Sequence, residues 1–478
     1  MADKKKDTSI HLNTLKITGV EFLEVIQLKI THEANEYARA RLTLIVDDKK
    51  GQKFIEQAGA DKIKISGKAG TKDVVLFQGY IVNLSFEPRY QRNVLTLDLC
   101  DAAYLLTLKR ETSSFQKLDA KYADVLKTAL KSTDGTKVTM KATDKAIEKM
   151  IIRLNETGWD FLHRMASHFS AMVFTDITAE KPLVTIGLPD PKQTIELEDP
   201  QVTYNHDPST FGFLDANKDV LLAKGAKIVA EDFSTVEIVG CQQYLHVGDT
   251  IKLNKKEYRV KSLQATFRRS VLETSYTLVG KTAFVVPLII QRNLHGRVFR
   301  AQVKKVEKDK VQAHLIDVDE KFDGSGKMMF PFATAYSSAD GSGWYAMPEV
   351  DDYVRILFPS IDPSEAFAMS SINTAPLKEP KNKSLKAPGG REILLTDKGV
   401  EIIAEHQKTF ILIDKDKGIS VVSAKDIQIH ADGNVSFEAK GAIQMVAQKE
   451  ITAQSGQSHI KLLSNQIDMG GGNIIVGE

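Results

Sequence analysis

Asp317, Asp319 and Asp323-Gly324 are the residues whose spacing comes nearest to a metal site. A calcium loop of the EF-hand type counted from Asp317 needs an oxygen ligand at its fifth position, Gly at its sixth and a bidentate Glu at its twelfth. Those positions hold Lys321, Phe322 and Met328, so a surface acidic turn is expected instead. Gly324-Ser-Gly326 and Gly341-Ser-Gly343 do not lead into a helix as a phosphate-cradling loop does, and read as turns. His163 and His168 stand about 140° apart around a helix, so they cannot serve one metal. Cys100 and Cys241 make neither a disulfide framework nor a four-cysteine zinc site. Arg297, Arg300, Lys304 and Lys305 form a basic patch without aromatics interleaved, a weak nucleic-acid surface. No nucleophile has a local base. The expectation is therefore a non-enzyme with no catalytic residue, no cofactor and no metal.

The elements that could position any of these residues belong to several folded units, because 478 residues exceed one ordinary core. Hydrophobic residues make up 42% and charged residues 26%, which is the ordinary globular range. The apolar run Ala283 to Ile290 is far too short for a bilayer helix. Lys4, Lys5 and Lys6 precede no apolar stretch and read as a solvated tail rather than a secretory signal. Two cysteines fit assembly in a reducing cytoplasm. A net charge of +2 gives no pull toward nucleic acid.

From Leu15 to Leu99 polar and apolar residues alternate as in strands, for instance Arg41 to Val46 and Val94 to Leu99. Tyr122 to Leu130 and Trp159 to Phe169 carry helical spacing, the second with Trp159, Leu162, Met165, Ala166 and Phe169 on one stripe. Strands return after Leu183, and the chain then echoes itself. Asp61 to Ile65 resembles Asp249 to Leu253, and Ser85-Phe86 with Leu95-Thr-Leu97 resembles Thr266-Phe267 with Tyr276-Thr-Leu278. Either two related barrels follow or two amphipathic strand pairs merely look alike. A third β unit, Gly296 to Asn373, has the size of a five-stranded barrel of the OB type, and a linker rich in Lys, Pro and Gly, Thr374 to Gly390, comes after it.

The last segment repeats every eight residues. Ile411, Ile419, Ile427, Val435, Ile443 and Ile451 keep that spacing, and Ile413, Val421, Ile429, Phe437, Met445 and Ala453 keep it two residues on. Each octad thus carries one short strand with an apolar pair on one face. Eight residues span only about 26 Å, too little for one chain to wind around a filled core. Three intertwined chains, each giving one strand per layer, would close a prism and bury these side chains on its axis. A flat meander is the alternative, and only Asp432-Gly433-Asn434 looks like a tight hairpin turn. His430 and His459 could gather three copies on such an axis to hold a metal, but Ile429 and Ile460 take the inward positions beside them.

Certain stretches resemble the VgrG-like spike proteins of type VI secretion and of extracellular contractile injection systems, the counterparts of the fused hub and spike of a contractile phage baseplate. They are Phe77-Gln-Gly79-Tyr-Ile-Val82, Ser114-Phe115-Gln116, Asn155 to Ala166, Gly343 to Val354 and Asp362-Pro363-Ser364. Asp351 departs from the pattern by replacing its usual Gly, and the Phe-Pro strand end is displaced to Phe330-Pro331. The resemblance implies a mainly β fold. Its parts would be a hub of two β-barrels with a helical insert over 1–290, an OB-fold barrel over 291–373, a linker over 374–390, and an intertwined trimeric β-helix over 391–478.

It also implies a structural homotrimer that links a sixfold inner tube to a threefold tip and pierces a target envelope. Implied partners are inner tube and baseplate proteins, a cap protein at the tip and effector cargo, with only transient envelope contact and no nucleic acid. Such a chain is assembled in the cytoplasm into a phage tail-like particle that is released or acts at the cell envelope. The residues from Thr374 to Gly390 leave no room for a muramidase domain, and the few after Gly470-Gly-Gly472 leave none for a fused effector. A peptidoglycan-degrading spike, or a tail spike that binds polysaccharide or nucleic acid, is the competing expectation.

Overall fold

A computed structural model describes residues 9–57, 62–88, 92–198, 200–371, 379–473 and 475. The chain is mainly β, with 44% of residues in strands and 14% in helices. It divides into two compact units, Met1–Ile372 and Asn373–Glu478.

The first unit opens with six strands, β1 (Lys16–Thr18), β2 (Glu24–Glu33), β3 (Arg39–Val46), β4 (Lys62–Ala69), β5 (Lys72–Glu87) and β6 (Asn93–Asp101), with helix α1 (Asp48–Gln57) between β3 and β4. Alternation sets their faces: in β3, Ala40, Leu42 and Leu44 are buried while Arg39 and Arg41 face out. These strands lie side by side in the order β1-β4-β5-β6-β3-β2.

The insert that follows holds β7 (Arg110–Phe115), α2 (Tyr122–Ala129), β8 (Lys137–Met140), β9 (Ile151–Thr157), α3 (Gly158–Ser167), β10 (Val173–Thr175) and β11 (Leu183–Ile186). Helices α2 and α3 fall where the spacing places them, and Trp159, Leu162, Met165 and Ala166 are buried. The insert also contains a three-stranded sheet and a β7–β9 pair. Most of these strands are too short to give a readable alternation.

A second run then repeats the first. It comprises β12 (Thr194–Leu197), β13 (Val202–Asn205), helices α4 (Pro208–Ala216) and α5 (Lys218–Leu221), β14 (Thr235–Cys241), β15 (Thr250–Leu253), β16 (Lys256–Arg268) and β17 (Val271–Val279). Its strands pair as β12-β15-β16-β17-β14-β13, the same order element for element. A bulge follows Ile81 in β5 and Val260 in β16. The echo in the sequence is thus a repeat of topology, although Asp61 lies outside the described residues. The pairings align Leu97-Asp-Leu99, not Leu95-Thr-Leu97, with Tyr276-Thr-Leu278. That correction of two residues keeps every side chain on its face, so alternation alone could not reveal it. The runs differ at β12, which is parallel to β15 where β1 is antiparallel to β4, at α1, which has no counterpart between β14 and β15, and at α4 and α5, which replace a short turn. An antiparallel seam between β2 and β16 joins both runs into one twelve-stranded sheet.

Five strands complete the first unit: β18 (Arg297–Glu307), β19 (Lys310–Leu315), β20 (Phe330–Pro331), β21 (Tyr353–Phe358) and β22 (Phe367–Ser371). They pair as β20-β19-β18-β21-β22, and a bridge between Phe332 and Ala368 brings the two ends of that order together. Their core includes Met150 and Ile152 of the insert, so the two regions share one hydrophobic cluster.

In the second unit, β23 (Lys383–Lys386), β24 (Glu392–Leu395), β25 (Gly399–Glu405), β26 (Thr409–Asp414) and β27 (Gly418–Val422) form an antiparallel meander. A second meander follows, β28 (Glu450–Ser455), β29 (Ser458–Leu463) and β30 (Ile467–Gly470). Gly418 at φ 81 and Gly456 at φ 57 supply the left-handed backbone at two of the turns. Over these spans the single chain adopts the meander weighed against the prism, and the turn signals at Gly418 and Gly456 were passed over in the sequence.

Candidate functional site

Between the two meanders, residues 423–449 belong to no strand. Bends fall at 424–425, 432–433, 440–441 and 448–449, which is the octad period, with no regular structure between them. Every residue from 424 to 450 is exposed, and no backbone hydrogen bond is made within 426–447. Ile427, Ile429, Val435, Phe437, Ile443 and Met445 all stand in the solvent, between 50% and 68% exposed. On β26 and β27, Ile411 lies across from Val421 and Ile413 from Ile419, so four octad side chains gather on one face, also exposed. Ile451 is half-buried on β28, across from Leu462. The structure therefore groups the octad residues of β26 and β27 and leaves the rest apart.

The physical imbalance is large. Among the described residues of this unit, Ile403 is the one buried apolar side chain, while 21 large apolar side chains are exposed. A stretch of backbone without backbone partners that carries exposed apolar pairs at a fixed period is costly to leave in water.

The residues first weighed for chemistry have structural roles. Asp319 is half-buried rather than on the surface: it accepts hydrogen bonds from the Ser114 N–H at 2.6 Å and from its hydroxyl. Burial holds its carboxyl above the ordinary value against the opposing pull of Ser114. Asp317 instead pairs with Arg300. Asp319→Ala leaves the Ser114 donors unpaired and should cost about 1–3 kcal/mol in denaturant unfolding. Added calcium should leave the parent's melting temperature where it is. Among the described residues no group of three or more His, Cys, Asp or Glu could hold a metal.

His163 packs on the Trp159 ring, while His168 meets the Tyr122 hydroxyl at 2.9 Å through Nδ1. His430 is exposed, and His459 lies 3.5 Å from Asp468. Of the basic patch, Arg300, Lys304 and Lys305 are ion-paired with Asp317, Asp351 and Glu307. Trp344 and Tyr345, in the signature stretch Gly343 to Val354, are 67% and 75% exposed.

The signature stretches are explained by packing. A side chain at Gly79 would stand 2.1 Å from the Cys100 carbonyl oxygen, so only Gly fits there. The Gln116 carbonyl accepts from the Lys327 N–H at 2.9 Å, which together with Ser114 and Asp319 ties the insert to the five-stranded unit. In Asn155 to Ala166, Thr157 and Asp160 form a capping box at the start of α3, and Trp159 packs edge-on against Tyr37 at 5.6 Å. Arg164 meets Glu156 at 2.6 Å and donates to the Ile152 carbonyl at 2.8 Å. Asp351 sits at φ 73, a conformation that favours Gly and accounts for the residue usual there.

Three histidines set a pH dependence, His32 buried and His163 and His168 half-buried. Burial lowers His32 to about 3 and His163 and His168 to about 4, from 6.5. The unfolded chain therefore takes up protons first as the pH falls, and stability present above about 6.5 is lost toward 4. Asp101 opposes this, since burial raises it to about 6 and the folded form gains its proton first. Asp319, also raised by burial, opposes it in the same way, and with three groups against two the first unit should melt at a lower temperature at pH 5 than at pH 7. An equal or higher melting temperature at pH 5 would contradict this balance.

A family model described as the Alg8 N-terminal domain matches residues 6–211, under half of the chain. No curated protein matches. Among solved structures, the Escherichia coli c3393 protein, described as a type VI secretion component structurally similar to the T4 bacteriophage tail proteins gp27 and gp5, is 12% identical. That match covers 75% of this chain and 99% of that one, with a TM-score of 0.52. A chain of a Francisella PdpA-VgrG complex is 10% identical over 86% of this chain and 80% of that one, with a TM-score of 0.53. At such identities the likeness is one of fold, and the chain has the fold shared by VgrG-like type VI secretion proteins and phage tail hubs, the group its signature residues resemble.

Proposed function

We propose that this chain is a non-enzymatic hub and spike of a contractile injection machine, a homotrimer that joins a sixfold inner tube to a threefold tip and is driven through a target envelope. Residues 1–290 form the hub, 291–373 the OB barrel, 374–390 the linker and 391–478 the spike. Its partners are tube and baseplate proteins, a cap protein at the tip and effector cargo. It is assembled in the cytoplasm into a tail-like particle. The observation that carries this reading is the stretch 424–449, whose bends recur every eight residues while the backbone of 426–447 makes no backbone hydrogen bond and the apolar pairs stand exposed. Two further copies supply both the missing hydrogen bonds and the missing apolar cover. The repeated strand order of the hub supports the match to a sixfold tube, since two like runs in each of three chains make six.

The test is the native mass of the full chain. Three times the chain mass of 53.0 kDa is expected, and a monomer at micromolar concentration would sink the reading.

A further inference from the structure

A cavity of about 300 Å³ opens inside the first unit, where the insert, the chain between β17 and β18 and the five-stranded unit meet. Its wall is mostly apolar, with Ile147, Met150, Leu288, Ile290, Leu294 and Ile361 along it. Ile147, Met150 and Leu294 are buried, whereas Ile290 and Ile361 are 43% and 42% exposed, so the cavity opens on their side. The volume is at the low end for a small-molecule site, which commonly combines an apolar wall with a few convergent polar groups.

The polar groups come from the end of α3, where Arg164 and His168 stand four residues apart on one side and both line the cavity. Arg164 uses Nε and Nη2 on Glu156 and on the Ile152 carbonyl, and its Nη1 has no hydrogen-bond partner among the described residues. At His168 the Tyr122 hydroxyl meets Nδ1 at 2.9 Å, and Nε2 has no such partner either. Burial lowers this imidazole to about 4 and raises the Tyr122 phenol to about 12, so both are neutral near neutral pH. With the hydroxyl donating to Nδ1, the ring proton sits on Nε2. Asp362, the carboxylate of the wall among the described residues, is already engaged by Lys149 at 2.6 Å and by Ser364. The cavity therefore receives two N–H groups without an acceptor at one end and apolar side chains along the rest. A ligand gains by supplying what each part lacks.

We propose that this cavity binds a medium-chain monocarboxylate, whose carboxylate accepts from Arg164 Nη1 and His168 Nε2 and whose alkyl chain lies along Met150, Leu288 and Leu294. A neutral alcohol of the same length fills the apolar part but brings no charge-assisted acceptor. The site lies within one chain, so it stands apart from the trimeric reading.

Calorimetric titration of the full chain with hexanoate, octanoate and decanoate should show one site per chain, tightening about fourfold with each added methylene until the cavity is full. Octanol should bind about tenfold more weakly than octanoate. No saturable binding of any of the three acids overturns the proposal, and so does octanol binding as tightly as octanoate. Two variants locate the site. Ile290→Trp fills the cavity from its exposed rim and should abolish octanoate binding, whereas His168→Leu should weaken octanoate about tenfold and leave octanol unchanged. Undiminished octanoate binding in either variant overturns the assigned site. The parent chain guards against misfolded variants: the His168 Cε1 proton resonance should shift as octanoate is added, and a resonance that stays in place overturns the proposal.

Discussion

Ile427→Asp is expected to disperse the proposed trimer, while Gln428→Asp one residue along leaves it intact. Burying an isoleucine contributes about 1.5–3 kcal/mol, and threefold symmetry multiplies each site by three. Three aspartates at one level of a water-poor axis must either stay protonated at a cost or repel one another. In the proposed strand Gln428 falls on the face opposite Ile427 and meets water in either state. The isolated chain makes the opposite forecast, because both side chains are exposed there and neither change should matter. Sedimentation of the two variants beside the parent therefore separates the readings, and equal tolerance would remove the prism.

Glu156→Ala should destabilise the first unit by about 3–5 kcal/mol, the usual cost of stranding one member of a buried ion pair. The Arg164 side chain is 7% exposed and would keep only the Ile152 carbonyl and the Phe161 ring, 5.2 Å away. Its loss would loosen α3 against β9. Lys305→Ala, which breaks an exposed pair with Glu307, is the control and should leave the urea midpoint in place. A midpoint for Glu156→Ala equal to that of the control would show that Asn155 to Ala166 does not hold the insert as described.

Periodicity was legible wherever a long element buries one face. The helices at Tyr122 and Trp159, the alternation from Arg41 to Val46 and the octads all stand in the sequence, because each pairs a fixed period with a fixed side. The echo of the two runs was legible only to within two residues, since a shift by two preserves alternation and only the pairing at Ile81 and Val260 sets the register. Helix α4 was missed although Asp207 caps it and Pro208 opens it, because it buries only Leu214 and so lacks an apolar stripe. The acidic turn was read as surface because its partner, Ser114, lies 205 residues away in sequence. The octad residues were named from spacing alone, and one chain cannot bury them. In the proposed trimer their role depends on the copies that cover them.

The most direct measurement is a three-dimensional reconstruction of the full chain by electron cryo-microscopy, refined without imposed symmetry. The account predicts a threefold shaft over residues 391–478, with one strand from each chain in every eight-residue layer and Ile427 and Ile429 on the axis. A shaft built from single chains folded as separate antiparallel meanders, with those side chains in solvent, would contradict it.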